Sequence, residues 1–358
     1  MRVYVDHTHL WRRTTGIERV TAQLFSKEAL APLDVVPIRA ESTRGMVFAQ
    51  AFGLPACLAC SPSSVLLCPG FPPMPLAHAF GRRVIPYIHD VFLLSRRADL
   101  NWRARFYSAW PFGLAVRRLP RFLVNSVDTA VKLAAYCRDD ADIVVYRPPA
   151  LNVFELSSAL RASRPKRPAE FRLAALGTVE PRKNLTAAAR IVGALRERGH
   201  LNATLDIVGR RGWGDDWLAL KAMPGVTLHD YLPASGVRKI LDGADALICT
   251  SHEEGLGLPL LEAQYGGLPV IAPDQSVFRE VLGHSGLFID PRNPAAAAAV
   301  IERHTATDNW RSISINLAKE NLKRWNEAAK SDHDRVVDLV GRLSHSNESA
   351  TSRLGVAH

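Results

Sequence analysis

The 358-residue sequence predicts an α/β protein with two doubly wound parallel sheets that face each other across a cleft. Short apolar runs alternate with helical patterns along most of the chain, which is typical of strands joined by crossover helices. The runs lack in-and-out alternation, as expected for a parallel sheet that is covered on both faces. The pattern is interrupted once near the middle and then restarts, which indicates two domains.

The first half contains a series of apolar runs that we predict as buried strands, separated by helical patterns such as residues 16–30 and 127–137. The runs are Val3–Val5, Val35–Ile38, Val65–Cys68, Val84–Ile88, Phe122–Val124 and Ile143–Tyr146. The interruption follows at residues 157–170, where basic residues and prolines replace the apolar period and indicate a linker. We therefore place the first domain at residues 1–163.

The second half repeats this pattern of strands and helices. Its strands are predicted at Phe171–Leu176, Ala203–Val208, Val226–Leu228, Ala246–Cys249, Val270–Ile271 and Leu287–Phe288. Asn184 is a suitable N-cap for the first helix of this half, and Pro259 suits the first turn of another. The second domain is expected over residues 164–324. A C-terminal helix of about residues 325–343 then joins the first domain, and residues 344–358 are predicted as a disordered tail.

Composition excludes several classes of protein. With 47% hydrophobic and 22% charged residues, the chain is neither collagen-like, nor a coiled coil, nor largely disordered. No stretch reaches the ~18 uninterrupted apolar residues that span a bilayer. The N-terminus reaches charged residues too early for a secretory signal, so we expect a cytoplasmic protein.

The net charge of +10 is unevenly distributed along the chain. Residues 1–168 contain 23 Lys and Arg against 12 Asp and Glu, a net charge of +11. Residues 169–358 contain 22 against 23, a net charge of −1. An anionic partner is therefore expected for the first half: nucleic acid, a phosphorylated substrate or an anionic lipid surface.

Residues 101–122 are a candidate membrane-binding segment within this basic half. They contain five Arg and six aromatic residues, a combination that suits the headgroup region of an anionic membrane. The alternative is a core helix, because Trp102, Phe106 and Trp110 recur at helical spacing. The sequence leaves both interpretations open.

Two short motifs receive a structural interpretation. Cys57 and Cys60 have the spacing of a zinc or redox pair, but only Cys68 lies near as a further ligand. We therefore favour a small buried apolar cluster of free thiols. Asp140-Ala-Asp142 matches the Asp-x-Asp pattern that holds a divalent metal, but it precedes a strand instead of following one. We interpret it as a solvent-exposed segment that leads into that strand.

The strongest functional pattern is Ser251-His-Glu-Glu254-Gly-Leu-Gly-Leu-Pro-Leu-Leu-Glu262. A predicted strand ends, a Gly-x-Gly loop follows and a helix begins, which directs backbone N–H groups and the positive helix end towards an anion such as phosphate. Glu254 and Glu262 suit hydroxyl-rich groups, because a carboxylate accepts hydrogen bonds from two neighbouring hydroxyls. The pattern therefore predicts a nucleotide-sugar site.

With this pattern the sequence resembles glycosyltransferase family 4, whose members are retaining enzymes of GT-B architecture. Glu254 and Glu262 match the Glu-x7-Glu hallmark of that family. Two further family motifs precede this pattern, at Leu176–Asn184 and Asp206–Gly209. Three more come after it, at Gly267–Ile271, Arg279–Val281 and Asp290-Pro291. The resemblance is tight over about residues 171–291 and looser at Thr15–Ile17 and at His89. In motif style it is most similar to bacterial mannosyltransferase-like enzymes that build surface polysaccharides.

The resemblance implies a role for each matched residue of the second half. Arg182 and Lys183 would clamp the donor diphosphate and stabilise the charge on the leaving group. Glu254 would bind hydroxyls of the transferred sugar, and Glu262 those of the ribose. The backbone of the intervening loop would meet the phosphate or the sugar. The donor-binding residues of that loop are Gly255, Leu256, Gly257 and Leu258.

The resemblance also implies two site residues in the first half. His89 would touch the donor sugar and help to hold the reacting geometry, and Gly16 would let the first loop approach phosphate or acceptor closely. Two positions depart from the family pattern. Asp230 stands where many members have glycine, and the first loop has one glycine where relatives have more. Base recognition and acceptor contacts are therefore left open.

The implied activity is that of a metal-independent hexosyltransferase without a cofactor, which takes a nucleotide-sugar donor and a glycan or lipid-linked acceptor. GDP-mannose is the favoured donor, with UDP- or dTDP-sugars as alternatives, and the enzyme would be cytoplasmic or peripheral on the inner face of the membrane. A sugar-phosphate phosphorylase would need pyridoxal phosphate on a lysine, for which the sequence offers no recognisable site. A basic nucleic-acid-binding protein is the alternative from a non-enzyme class, and the intact Glu-x7-Glu pattern argues against it.

Overall fold

The computed structural model describes the residues 2–11, 16–95, 109–162, 170–199, 202–307 and 309–354. The chain divides into two compact units, each with its own six-stranded parallel sheet. Unit 1 consists of Met1–Pro148 and Ala328–His358, and unit 2 consists of Pro149–Glu327.

The sheet of unit 1 has the strand order β2-β1-β3-β4-β5-β6. Its strands are β1 (Val3–Asp6), β2 (Val35–Ile38), β3 (Val65–Cys68), β4 (Val84–Ile88), β5 (Arg121–Val124) and β6 (Asp142–Val145). The six strands predicted for this half are all present, and their ends differ from the prediction by at most one residue. The order reverses between β1 and β3, so the loops after these two strands diverge at the carboxyl edge, where doubly wound sheets bind ligands.

The helices of unit 1 cover an apolar core that includes the fully buried Leu58, Leu66 and Phe122. They are α1 (Gly16–Leu24), α2 (Thr43–Phe48), α3 (Leu54–Cys60), α4 (Phe92–Ser95), α5 (Trp110–Arg118) and α6 (Val127–Ala134). The helix predicted over residues 16–30 ends earlier than expected. Its end is followed by a turn in which the Ser26 hydroxyl accepts a hydrogen bond from the backbone N–H of Ala29.

The sheet of unit 2 has the order β12-β11-β10-β7-β8-β9, which is the dinucleotide-fold order with its reversal between β7 and β10. Its strands are β7 (Glu170–Leu176), β8 (Asn202–Val208), β9 (Val226–His229), β10 (Ala246–Ile248), β11 (Val270–Pro273) and β12 (Gly286–Ile289). Alternate residues of β7 enter two different core clusters: Leu173 packs into one, and Ala174 into the other. Both faces of this sheet are therefore covered, as the continuous apolar runs predicted.

Eight helices of unit 2 and its C-terminal continuation lie in the described ranges. They are α7 (Ser158–Ala162), α8 (Leu185–Glu197), α9 (Asp216–Lys221), α10 (Ala234–Gly243), α11 (Leu258–Gln264), α12 (Ser276–Leu282), α13 (Pro294–Thr305) and α14 (Trp310–Leu354).

The boundary between the units lies earlier in the chain than the expected position after residue 163. Residues 149–162 belong to unit 2, where Arg161 is buried and donates hydrogen bonds to the carbonyl oxygens of Ala244 and Gly266 at 2.7 and 3.0 Å. Arg161 was assigned to the linker because it is basic. The sequence pattern does not show that its guanidinium binds carbonyl oxygens more than 80 residues away. The rest of the predicted linker, residues 163–169, lies outside the described residues.

The last helix, α14, belongs to unit 2 as far as Glu327 and to unit 1 beyond it. In unit 1, Asp332 of this helix accepts a hydrogen bond from Arg147 at 2.6 Å. The backbone stays helical to Leu354, where a disordered tail was expected from about residue 344. Extending an existing helix adds one hydrogen bond per residue without a new nucleation step, which sequence pattern alone does not register. Within the described ranges, no helix combines the length and apolarity that a membrane span requires.

Candidate functional site

A polar cluster lies in unit 2 at the carboxyl ends of β7 and β10, where the strand order reverses. After β7, a 3-10 turn, Pro181–Lys183, leads to Asn184, which has a left-handed backbone (φ 48°) and precedes α8. After β10, the Thr250 hydroxyl lies 3.2 and 2.8 Å from the carbonyl oxygens of Lys183 and Asn184, so the two loops are linked. Asn184 stands at the predicted N-cap position, but its side chain makes no capping hydrogen bond. An N-cap residue usually has an extended backbone, and the left-handed one here accompanies that loss.

Glu254 is the centre of this cluster. Its side chain is 9% exposed, and its Oε1 accepts hydrogen bonds from Lys183 Nζ at 2.5 Å and from Ser251 Oγ at 2.7 Å. Its Oε2 lies 3.4 Å from a terminal nitrogen of Arg182. Burial raises the pKa of this carboxyl, but the charges of Lys183 and Arg182 outweigh burial and hold the pKa below its usual value. Glu254 is therefore ionised at neutral pH.

A second carboxylate, Glu180, orients Arg182. Its Oε1 accepts hydrogen bonds from the Arg182 guanidinium at 2.9 and 3.2 Å, and the backbone carbonyl of Glu253 accepts another at 3.0 Å. Glu180 and Ser251 were not among the site residues predicted from the sequence. Both residues lie inside the motif segments. Their position next to Arg182 and Glu254 in the sequence is what could have identified them as site residues.

Two of the loops at this edge of the sheet depend on glycine. Gly257 has a left-handed backbone (φ 80°) and precedes α11, with Pro259 in the first turn as predicted. At the end of β8, a Cβ on Gly209 would overlap the backbone carbonyl of Gly177, so the ends of β7 and β8 approach each other closely. Glu262 is buried within α11.

The remaining loop residues differ in what they can offer to a ligand. Leu256 is buried in a core cluster, so only its backbone is available, whereas Gly255 and Leu258 are half-buried. A cavity beside them is lined by residues that include Lys183 and Glu254. A larger cavity of about 390 Å³ lies on the other side of the loop after β10, at the carboxyl ends of β11 and β12.

Unit 1 has a polar cluster of its own at the carboxyl edge of its sheet. Asp6 is 2% exposed and accepts hydrogen bonds from the backbone N–H of Thr8 at 3.0 Å and its hydroxyl at 2.6 Å. The side-chain amide of Gln50 donates to the other carboxylate oxygen at 3.1 Å. Burial raises the pKa of Asp6, and these hydrogen bonds offset the rise only in part.

His89 lies on this same edge, after β4. Its Nε2 donates a hydrogen bond to the carbonyl of Pro69 at 2.7 Å, and Asn125 donates to the carbonyl of His89 at 2.7 Å. Burial lowers the pKa of this imidazole, with a partial opposing effect from its hydrogen bond to Pro69. A carbonyl oxygen only accepts, so the proton lies on Nε2, and the neutral ring presents Nδ1 as an acceptor.

The predicted site residues are divided between the two units. Arg182, Lys183 and Glu254 form one contact cluster in unit 2, whereas His89 and Gly16 belong to unit 1. Gly16 is the exposed first residue of α1, and a Cβ there would meet no atom within 4 Å. No atom of the described residues crowds this position, and the approach to phosphate or acceptor expected of Gly16 stays a prediction. The loop residues 12–15 before it lie outside the described residues.

The two short motifs lie apart from these clusters. Asp140 and Asp142 form exposed ion pairs with Arg138 and Arg121, in line with a solvated approach to β6. The five cysteines are free thiols. Cys68 is buried, but Cys60 is exposed, so the predicted buried thiol cluster is wrong at that position. Among the described residues, no group of three or more His, Cys, Asp or Glu is placed to hold a metal.

The candidate membrane segment is described only from residue 109 onwards, so Trp102, Phe106, Arg103 and Arg105 lie outside the described residues. In the described part, Phe112 is buried, but Trp110 is exposed. The alternative that Trp110 belongs to the core face of a helix is therefore wrong for this residue.

Comparison with known proteins links the second unit to a family of transferases. Residues 170–306 match the family described as Glycosyl transferases group 1. Over 157 residues the chain is 31% identical to the O-antigen chain mannosyltransferase B of Escherichia coli, a match that covers 42% of this chain and 41% of the relative. Over 268 residues it is 28% identical to the serotype-specific mannosyltransferase WbdA of Escherichia coli, covering 68% of this chain and 32% of the relative. The chain spans less than half the length of these relatives.

Solved structures match nearly the whole chain. WaaG, a glycosyltransferase involved in lipopolysaccharide biosynthesis, matches 95% of this chain and 99% of its own with a TM-score of 0.64 at 14% identity. Anabaena Alr3699/HepE, solved with UDP and glucose, matches 96% of this chain and all of its own with a TM-score of 0.66 at 15% identity. This likeness confirms the GT-B fold class for the two parallel sheets. Arg182, Lys183, Glu254 and Glu262 all lie within the segment that matches the family Glycosyl transferases group 1.

Proposed function

We propose that the protein is a glycosyltransferase that moves a hexose from a nucleotide-sugar to a glycan or lipid-linked acceptor in surface polysaccharide synthesis. The observation that supports this best is the cluster of Arg182, Lys183 and Glu254 at the strand reversal of the matched domain. Two fixed cations suit a departing diphosphate, and a buried ionised carboxylate suits sugar hydroxyls. The two Escherichia coli relatives are named as mannosyltransferases, which is the same class of reaction.

Lys183 has a partner that a donor would replace. Its ammonium lies on Glu254, and a diphosphate carries more negative charge than one carboxylate, so the donor would draw the ammonium towards itself. Glu254, still held by Ser251, would then accept hydrogen bonds from the sugar. These cations would supply the charge that a metal supplies in other transferases, so we infer that the reaction is metal-independent.

We infer a retaining reaction in which the acceptor attacks from the same face that the diphosphate leaves. The departing phosphate oxygen would take the proton of the acceptor hydroxyl, while Arg182 and Lys183 stabilise the negative charge that remains. This assignment needs no protein nucleophile. Glu262, buried in α11, is assigned to the ribose hydroxyls.

GDP-mannose is the donor that we favour, because two relatives are named as mannosyltransferases. UDP- and dTDP-sugars are the alternatives, and HepE was solved with UDP and glucose. At the carboxyl ends of β8 and β9, Arg210 stacks on the exposed ring of Tyr231 with 4.7 Å between guanidinium carbon and ring centre. A flat surface of this kind would support any nucleotide base.

The donor is tested by thermal unfolding of the full chain with GDP, UDP or dTDP, because a ligand raises the unfolding temperature according to its occupancy. We expect GDP to raise it most. The best nucleotide is then offered as its sugar derivative with a mannan or lipid-linked acceptor, and the product linkage is read by NMR. A product of inverted anomeric configuration contradicts the retaining assignment, and failure of all three nucleotides to bind contradicts the proposed function.

The anionic partner of the basic first half is assigned to the membrane that would carry a lipid-linked acceptor. We infer that the protein works in the cytoplasm, peripherally on the inner face of that membrane. The net charge of +11 over residues 1–168 supports this location. Nucleic acid is not among the partners that we propose.

A further inference from the structure

One helical stretch of unit 1 is apolar on two sides, and the core covers only one of them. α2, a π-helical turn (Ala49–Gly53) and α3 follow one another with right-handed helical backbone at each junction. On the inner side, Leu54 and Leu58 are buried in the core, and the Gln50 amide donates to Asp6. These contacts fix the orientation of the stretch, which we call the outer helix.

The outward side of the outer helix is exposed and almost entirely apolar. Phe48 and Phe52 are 66% and 56% exposed, and their ring centres lie 5.6 Å apart. The exposed residues of the outer helix are Thr43, Arg44, Val47, Phe48, Phe52, Ala56, Ala59 and Cys60. A helix that is apolar on both sides is normally covered on both, so a patch that groups two adjacent aromatic rings indicates a docking surface.

Charge identifies what this surface would dock on. From Ser42 through His89 the sequence contains no Asp or Glu, and the one charged residue of the outward side is Arg44. Arg39 and Glu41, four and two residues before the helix, are both exposed and have opposite charges. The helix itself therefore offers large apolar side chains and one cation without a carboxylate, in a half of the chain with a net charge of +11. Such a surface is complementary to anionic lipid headgroups above a hydrocarbon layer.

We propose that the outer helix docks the protein on an anionic membrane, with Phe48 and Phe52 at the boundary of headgroups and acyl chains. Arg44 would lie against lipid phosphates. A second copy of the chain is a poorer occupant, because a symmetric interface would set two carboxylate-free faces with Arg44 against each other. This surface is separate from residues 101–122, and the proposal does not depend on the transferase activity.

The test is co-sedimentation of the full chain with phosphatidylcholine vesicles and with vesicles that also contain phosphatidylglycerol. We expect binding to the anionic vesicles that weakens with added salt. Phe48→Ser combined with Phe52→Ser should lower the partition coefficient at least about tenfold, and Arg44→Ser should lower it less. The matched control combines Val127→Ser with Val131→Ser, two exposed apolar residues on α6, and should stay within about twofold of the parent chain.

Three outcomes would overturn the proposal: no binding of the parent chain to anionic vesicles, unchanged binding of the double Phe variant, or an equal loss in the control. A parent dimer that the Phe variant dissociates, without vesicle binding, would assign the surface to a second copy instead. Thermal unfolding and the nucleotide-induced shift of each variant check that the fold and the unit 2 site are intact. The single variant Phe48→Gln replaces the double variant if the latter does not fold. A failed donor assay leaves the vesicle result unaffected.

Discussion

Each unit buries a carboxylate at the carboxyl edge of its sheet, and the two are held in opposite ways. Glu254 of unit 2 lies against Lys183 and Arg182, which lower its pKa despite burial. Asp6 of unit 1 is bound by the neutral donors of Thr8 and Gln50, and burial raises its pKa. Two buried carboxylates thus have opposite pKa shifts, and the charge of the partners decides the direction.

The difference separates two uses of the same edge. In unit 2, we infer that the paired charges are redistributed when an anion arrives, because a diphosphate would compete with Glu254 for Lys183. In unit 1, neutral hydrogen bonds between Asp6, Thr8 and Gln50 tie the loop after β1 to the outer helix. The first arrangement suits chemistry on a charged leaving group, and the second suits a rigid support.

The largest expected effect comes from removing the cation nearest Glu254. Lys183→Ala should lower turnover about a hundredfold, the usual order for one charge-stabilising donor. The matched control is Lys221→Ala, an exposed lysine on α9 of the same unit, which should leave turnover unchanged. Lys221→Ala should unfold near the temperature of the parent chain. Lys183→Ala should unfold at a lower temperature, because the buried Glu254 loses the ammonium that stabilises its charge. Turnover of Lys183→Ala within about threefold of the parent would refute the diphosphate role.

The two glutamates of the motif should separate turnover from binding. Glu254→Gln keeps the shape but removes the charge, so we expect turnover to fall about tenfold or more while the nucleoside diphosphate still binds. Glu262→Ala should instead weaken binding of the diphosphate about tenfold, because it loses hydrogen bonds to the ribose. Calorimetry with the diphosphate on both variants distinguishes the two roles. The reverse pattern would mean that the roles are exchanged.

Asp6→Asn sharpens the comparison, because it alters the other edge. It should leave diphosphate binding by unit 2 unchanged, so a loss of binding equal to that of Glu262→Ala would contradict the separation of the two clusters. Asn keeps the oxygen that accepts from Thr8, which makes the change milder than Asp6→Ala.

The opposite pKa shifts predict opposite effects of pH on stability. Folding raises the pKa of Asp6. The stability that Asp6 contributes is therefore fully present below its unfolded pKa, near 4, and is lost as the pH rises through its folded pKa. Folding lowers the pKa of Glu254. The stability that Glu254 contributes is therefore fully present above its unfolded pKa and is lost as the pH falls through its folded pKa. The Asp6→Asn variant should therefore lose less stability than the parent chain as the pH is raised. The Glu254→Gln variant should lose less stability than the parent chain as the pH is lowered.

Unfolding temperatures measured from pH 3 to pH 8 test both statements. We expect differences of a few degrees, since about 1 kcal/mol corresponds to roughly 2–4 °C for units of this size. Profiles of the two variants that change in the same direction would contradict the assignment of the shifts to partner charge.

The strands and the residues around Glu254 could be predicted from the sequence, but the Asp6 cluster of unit 1 could not. The reason is the distance in sequence between the residues that interact. Parallel strands are continuous apolar runs, and the residues around Glu254 follow a local pattern after β10. The partner of Asp6 is Gln50, which is 44 residues away, and its role appears only when the outer helix packs on the sheet. Buried Arg161 was assigned to a linker for the same reason, since its carbonyl partners are distant in sequence.

The smallest expected effect concerns metal removal. If Arg182 and Lys183 supply the charge that stabilises the diphosphate, a chelator should leave turnover within about twofold, because no metal contributes to the barrier. The assay compares chelated enzyme and substrate with the same mixture after addition of excess Mg²⁺ or Mn²⁺. The Lys183→Ala variant makes the test stricter, since a divalent ion that restored its turnover would show that positive charge at this position is what the reaction requires. Loss of parent activity with chelator, and its return with metal, would instead assign part of the charge stabilisation to an ion.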